Sequence, residues 1–192
     1  MSSINNLIEE LDEGVIARRV GMLHDNARIQ YPLRTNAVTD YNSFIDVIAD
    51  YYNYHFQQVH QCGPLSRADA EGKATSYVNQ AYRQYHGDVT SAFKESRDSV
   101  NGGLRRVLDA IADAIKGEHI EHYIESVFRR YVDPIDPDSR TEIIRQFMIE
   151  HGAQFRSVLH IDRPELYARD YKMVIRTYAD IVRQGSSSYR RM

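Results

Sequence analysis

The chain has 192 residues, of which 42% are hydrophobic and 27% are charged, and its formal net charge is −3. This mix excludes the disordered and collagen-like classes, and the negative balance argues against a generic electrostatic grip on nucleic acid. Cys62 is the only cysteine, so neither an intrachain disulfide nor a multi-thiolate zinc site can form.

The N-terminal segment and the apolar runs indicate the compartment. Residues 1–13 contain four acidic side chains and no positively charged segment followed by an apolar run, so we expect no signal peptide. The longest apolar runs are a few residues, far below the ~20 that cross a bilayer. We therefore expect a cytoplasmic protein that does not enter a membrane.

Apolar residues spaced by three and four predict the first two helices. The first runs from an N-cap at Ser3 through Val20 and ends between His24 and Tyr31, because a proline at position 32 restricts the preceding residue. The second begins after Thr39 or Asp40 and ends at the Cys-Gly-Pro sequence of residues 62–64.

The middle of the chain predicts three further helical segments. A third helix opens at Ser66 or Asp69 and continues to about residue 85, and a fourth period covers residues 89–100. Two adjacent glycines at 102–103 favour a joint, since each costs about 1 kcal/mol within a helix. Residues 104–131 form either one helix or two, because Gly117 interrupts a strong period.

The last third of the chain begins with a turn, because residues 133–138 contain two prolines. Ser139 with Glu142 then resembles a capping box that opens a helix, which Gly152 could break. A final helix opens at residues 162–164 and is expected to turn these side chains inward: Leu166, Tyr167, Tyr171, Val174, Ile175, Tyr178 and Val182.

These elements together predict the fold class. No stretch alternates apolar and polar residues between turn signals, so we expect no strand. The prediction is an all-α, single-domain bundle of about six to eight helices over residues 1–184, with a possible subdomain joint at 133–138. Residues 185–192 are expected to form a flexible tail.

Eight histidines in a helical chain raise the question of a metal. The residue three positions before each histidine is never Glu, and HExxH is absent, which removes the di-iron and common zinc-hydrolase patterns. Glu118, His119 and His122 lie on neighbouring positions of one helix and supply two imidazoles and a carboxylate. They are the candidate site for a weakly bound divalent metal, and the alternative is a solvated helix face. No other cofactor is expected.

A second candidate site lies on the apolar stripe of the second helix. Tyr51, Tyr52 and His55 combine large aromatic surfaces with polar tips, which is typical of a small-ligand pocket. The alternative is an ordinary core histidine whose hydrogen bonds are satisfied within the bundle.

Two short strings resemble known helical families, and each is incomplete. His24-Asp25 resembles the central pair of helical metal phosphohydrolases, but no histidine precedes His24 to complete that pattern. Residues 81–88 resemble the distal-helix segment of haem oxygenases, with His24 as the axial ligand. That family continues with Ser-Gly-Gly where this chain has Thr-Ser-Ala at 90–92.

The functional prediction follows by elimination, because the sequence has no nucleophile elbow, no P-loop and no dinucleotide glycine motif. We expect a non-enzymatic helical interaction or regulatory protein that binds a protein partner or a second copy through a Tyr/Arg-rich helix face. The second half of the chain is the favoured surface, and its residues 129–192 carry 12 basic and 9 acidic side chains. The alternative is a metal- or small-ligand-binding bundle, with an enzyme still possible. Nucleic acid is not an expected partner.

Overall fold

The computed structural model describes residues 3–83 and 103–190, with the backbone alone for residue 3 and residues 186–190. Within these residues the chain forms eight α-helices and no strand, which confirms the all-α prediction. The helices are α1 (Ser3–Glu10), α2 (Glu13–Gln30), α3 (Tyr41–His60), α4 (Arg67–Tyr82), α5 (Gly103–Tyr131), α6 (Pro137–Glu150), α7 (Gly152–Leu159) and α8 (Tyr171–Arg190). None of these helices combines the length and the apolar character that spanning a membrane requires.

Two compact units divide the chain. The first contains the described residues of Met1–Gly21 and Gly117–Met192, and the second contains those of Met22–Lys116. The division falls within α2 and α5. The predicted joint at 133–138 lies inside the first unit, and the single-domain organisation with a flexible tail stays a prediction.

Aromatic rings dominate the core of the first unit. Phe147 makes edge-to-face contacts with Phe128 and Tyr178, at centroid distances of 5.5 and 4.9 Å. The buried Tyr178 hydroxyl donates a hydrogen bond to the backbone carbonyl of Leu11. Apolar side chains from α1, α2 and α5–α8 complete this core, among them Leu7, Ile16, Val20, Ile120, Ile124, Val127, Ile144, Met148, Phe155, Val174 and Val182.

The core of the second unit forms where α3 packs on α4. Ala70 and Ala74 are buried, and their small side chains allow the two helices to approach closely. Phe44 meets Tyr82 edge-to-face at 6.1 Å. The other buried apolar residues of this unit include Ile48, Ala49, Tyr51, Tyr52, Val78, Leu108, Ile111 and Ile115.

Local hydrogen bonds explain why the helices begin where they do. Asp40 caps α3 by accepting from the backbone N–H of Ser43, whose hydroxyl accepts from the Asp40 N–H in return. Ser66 caps α4 by accepting from the N–H of Asp69 at 3.1 Å. Both positions agree with the predicted starts of these helices.

Three predicted boundaries are wrong. The first predicted helix is two helices, because the Asp12 carboxylate accepts from the N–H of Val15 at 3.0 Å and opens α2. Ser139 does not begin α6, because Asp136 caps this helix and accepts from the Ser139 N–H. Residues 164–167 form a short 3-10 helix, and Leu166 and Tyr167 point into solvent rather than inward.

The sequence predicts either one helix or two around Gly117. α5 is one continuous helix of 29 residues, so the glycine does not break it. A break does occur between α6 and α7, at His151, one residue before Gly152. The helical period predicted over residues 89–100 lies outside the described residues.

Candidate functional site

Two buried histidines meet in the second unit. His55, on α3, has no solvent exposure, and its ring lies 4.1 Å from the ring of Tyr51, one helical turn earlier. His24, on α2, places its Nδ1 atom 2.9 Å from Nδ1 of His55. The structure therefore brings two of the sequence-predicted ligand-site residues together and adds His24 to them.

The contact between the two Nδ1 atoms sets the protonation of the pair. One Nδ1 must donate and the other must accept, so the two imidazoles adopt opposite tautomers and cannot both be cationic. Burial lowers the pKa of His55 to about 4, and the positive charge of Arg28 adds to this effect. His55 is therefore a neutral imidazole at neutral pH.

Two polar atoms of this cluster lack a hydrogen-bond partner within residues 3–83 and 103–190. They are Nε2 of His55 and the hydroxyl of Tyr51, and both are buried. Burial raises the pKa of Tyr51 to about 12, so the hydroxyl keeps its proton. A buried polar group without a partner costs about 1–3 kcal/mol, and a polar ligand that reached these atoms would recover that free energy.

Tyr52 does not belong to this cluster. Its ring lies 6.0 Å from the ring of Tyr77, and the Nζ atom of Lys73 lies 5.9 Å from its centroid. Both neighbours are on α4, so Tyr52 takes part in the packing of α3 on α4. The ligand-site prediction for Tyr51, Tyr52 and His55 stays a prediction.

The candidate metal ligands divide on α5. Nε2 of His122 lies 3.8 Å from a carboxylate oxygen of Glu118, and both side chains reach the surface. His119 is fully buried. Throughout the described part of the chain, no group of three or more His, Cys, Asp or Glu side chains is arranged to hold a metal ion. A metal at Glu118, His119 and His122 stays a prediction.

The pairing of His24 with His55 was missed by the sequence analysis. The two residues are 31 positions apart, and no local motif connects them. A signal was available, because His24 lies on the same face of its helix as the buried residues Val20 and Ala27.

Two large apolar side chains are exposed on the short 3-10 helix of the first unit. Leu166 is 65% exposed and Tyr167 is 51% exposed. This 3-10 helix packs on α6, which carries the exposed Ile149, and Arg163 and Arg169 flank it as exposed cations. We refer to these five residues as the Leu166–Tyr167 surface.

Comparisons of the chain with family models, curated proteins and solved structures find no match. The functional interpretation consequently depends on the buried histidine cluster, the Leu166–Tyr167 surface and the charge distribution of the chain.

Proposed function

We propose that the chain is a non-enzymatic, cytoplasmic interaction or regulatory protein that associates with a second copy of itself through the Leu166–Tyr167 surface. The observation that carries this proposal is the exposure of Leu166 and Tyr167 side by side on one short element. When a partner covers neighbouring large apolar side chains, their removal from water stabilises the complex by about 25 cal/mol per Å² of buried apolar area.

The composition of this surface favours a protein partner. Tyr and Arg, together with Trp, are enriched among the residues that dominate binding free energy, because each combines a large contact area with polar groups that fix orientation. Arg163 and Arg169 lie at the edge of the apolar pair, where they can meet carboxylates without being fully desolvated.

Charge complementarity supports a second copy as that partner. Residues 129–192 carry 12 basic and 9 acidic side chains, a net charge of +3, whereas the whole chain is −3, so residues 1–128 carry −6. The net positive charge of residues 129–192 on one copy is therefore attracted to the net negative charge of residues 1–128 on another. The net charge of −3 of the whole chain does not favour binding to the phosphates of nucleic acid, so nucleic acid is not part of the proposal.

Light scattering over a protein concentration series tests the proposal. We expect a dimer in buffer of low ionic strength. The dimer should dissociate in about 1 M salt, because the Debye length there is only ~3 Å and the attraction between the oppositely charged parts is screened. Leu166→Asp should remove the dimer. Ile29→Asp is the matched control, because Ile29 is another exposed apolar residue and lies on α2. A monomer at every concentration, or a dimer that Leu166→Asp leaves intact, refutes the proposal.

The second candidate function is a small-ligand- or metal-binding bundle. The buried Nε2 of His55 favours it, because this atom has no hydrogen-bond partner in the part of the chain that the structure describes. A bound polar molecule would satisfy this atom and the hydroxyl of Tyr51. Elemental analysis of untagged protein and a melting curve with added Zn²⁺ test the metal version at Glu118, His119 and His122. An absence of stoichiometric metal together with an unchanged melting temperature excludes it.

A further inference from the structure

A cleft of about 300 Å³ lies in the first unit, at the side of the helix pair α7 and α8. Its lining combines short apolar side chains with a hydroxyl, two carboxamides and one carboxylate. Ala153, Gln154, Ser157 and Val158 come from α7, Ile181, Gln184 and Gly185 from α8, and Glu13 from the start of α2. Its volume matches the lower end of small-ligand pockets.

Glu13 lines this cleft with a carboxylate whose charge no described side chain compensates. Burial raises the pKa of Glu13, and repulsion from the neighbouring Asp12 carboxylate raises it further. Among the described residues, no cationic side chain forms an ion pair with Glu13. The N-terminus of α2 offers little relief, because the Asp12 carboxylate already accepts from the N–H of Val15 there.

The negative charges of Glu13 and Asp12 also act on the Tyr178 hydroxyl, which is not among the groups that line the cleft. Burial raises the pKa of the Tyr178 hydroxyl, and the charges of Glu13 and Asp12 raise it further. A cation placed beside Glu13 would therefore be attracted by both carboxylates. An anion would be repelled by them.

The absence of a side chain at Gly185 leaves room for the Glu13 carboxylate. A Cβ atom at this position would overlap the Oε1 atom of Glu13, so the carboxylate occupies the space that a side chain would otherwise fill. This glycine lies within α8, where alanine is the better helix former by about 1 kcal/mol. The cleft thus depends on a residue that helix formation alone does not favour.

We propose that this cleft binds a small ligand that carries a primary ammonium group on a short apolar chain. The ammonium group would pair with Glu13 and donate its other hydrogens to the hydroxyl or amide oxygens of Ser157 and Gln154. Val158 and Ile181 would cover the apolar chain.

Calorimetric titration with n-butylamine and putrescine tests this proposal, with n-butanol and butyrate as the uncharged and anionic controls. We expect saturable binding of the amines alone. Glu13→Gln should weaken it by about ten- to a hundredfold, the range for loss of a hydrogen bond to a charged group. Glu9→Gln should not change it, because Glu9 is an exposed carboxylate outside the cleft.

A second variant guards against loss of folding in Glu13→Gln. Gly185→Ala introduces a better helix former and displaces the Glu13 carboxylate, so we expect weaker amine binding without loss of helical circular dichroism. Absence of saturable amine binding, equal binding of butanol, or full affinity in a folded Glu13→Gln or Gly185→Ala variant overturns the proposal. The amine site and the association proposed above use different residues, so either can fail alone.

Discussion

Acid should destabilise the protein through His55. Its imidazole is fully buried beside His24, and its pKa falls from 6.5 to about 4 because of burial and the charge of Arg28. The unfolded chain takes up a proton near pH 6.5, whereas the folded chain resists it until pH 4. Stability from this residue is therefore complete above about pH 6.5 and is lost as the pH falls towards 4.

The size of this effect follows from the shift of about 2.5 pKa units, since each unit corresponds to about 1.4 kcal/mol. Linkage gives a loss of about 2 kcal/mol at pH 5 and about 3 kcal/mol at pH 4, relative to pH 7. A loss of that size is a large fraction of the 5–15 kcal/mol that is typical of native proteins.

Urea unfolding of wild type and His55→Gln, followed by circular dichroism from pH 7 to pH 4, measures this loss. Glutamine is neutral throughout this range, so the difference between the two proteins reports the His24–His55 contact and cancels the titrating groups elsewhere. We expect the wild type to lose about 3 kcal/mol more than the variant. His122→Gln, on the partly exposed face of α5, should follow the wild type. Parallel pH dependences of wild type and His55→Gln would refute the reasoning.

Four further substitutions test the packing and capping of the first unit by urea unfolding. Asp136→Ala should cost about 1 kcal/mol because it removes the cap of α6, whereas Ser139→Ala, which leaves the bonded backbone N–H in place, should cost much less. Equal losses would favour the capping box predicted from sequence. Tyr178→Phe should cost about 1–3 kcal/mol because the Leu11 carbonyl loses its donor. Phe147→Ala should cost about 3–5 kcal/mol, and a loss below 1 kcal/mol would contradict its place at the centre of the aromatic core.

Helix starts were predictable where a short polar side chain precedes an apolar period. Asp40 and Ser66 both cap helices at the expected positions, since capping depends on residues only three apart. Asp136 also precedes an apolar period, but the Ser139–Glu142 pair three residues later predicts a helix start within the same turn. Local chemistry alone does not decide which of two capping candidates within one turn caps the helix. Each side chain reaches different backbone N–H groups, and the residue at which the chain enters the helix determines which of these groups are available.

The candidate site was only partly predictable for a different reason. The period of α3 places Tyr51 and His55 on one face, so their contact follows from sequence. The contact of His55 with His24 depends on the register between two helices, which periodicity within either helix does not contain. Tyr52 was assigned to the same site because adjacent aromatic residues look alike in sequence, yet neighbours on a helix point about 100° apart.

The wrong prediction for Leu166 and Tyr167 has a geometric cause that bears on function. Their inward orientation was extrapolated with the α-helical repeat of 3.6 residues, but residues 164–167 form a 3-10 helix with three residues per turn. A repeat fitted to α8 cannot be continued through an element of different pitch, and the apolar residues there face water instead. Local sequence and global fold conflict most often at functional positions, because folding alone would favour polar residues there. Leu166 is tested first because it and Tyr167 are exposed side by side on one short element, whereas Ile29 on α2 is exposed between two polar residues.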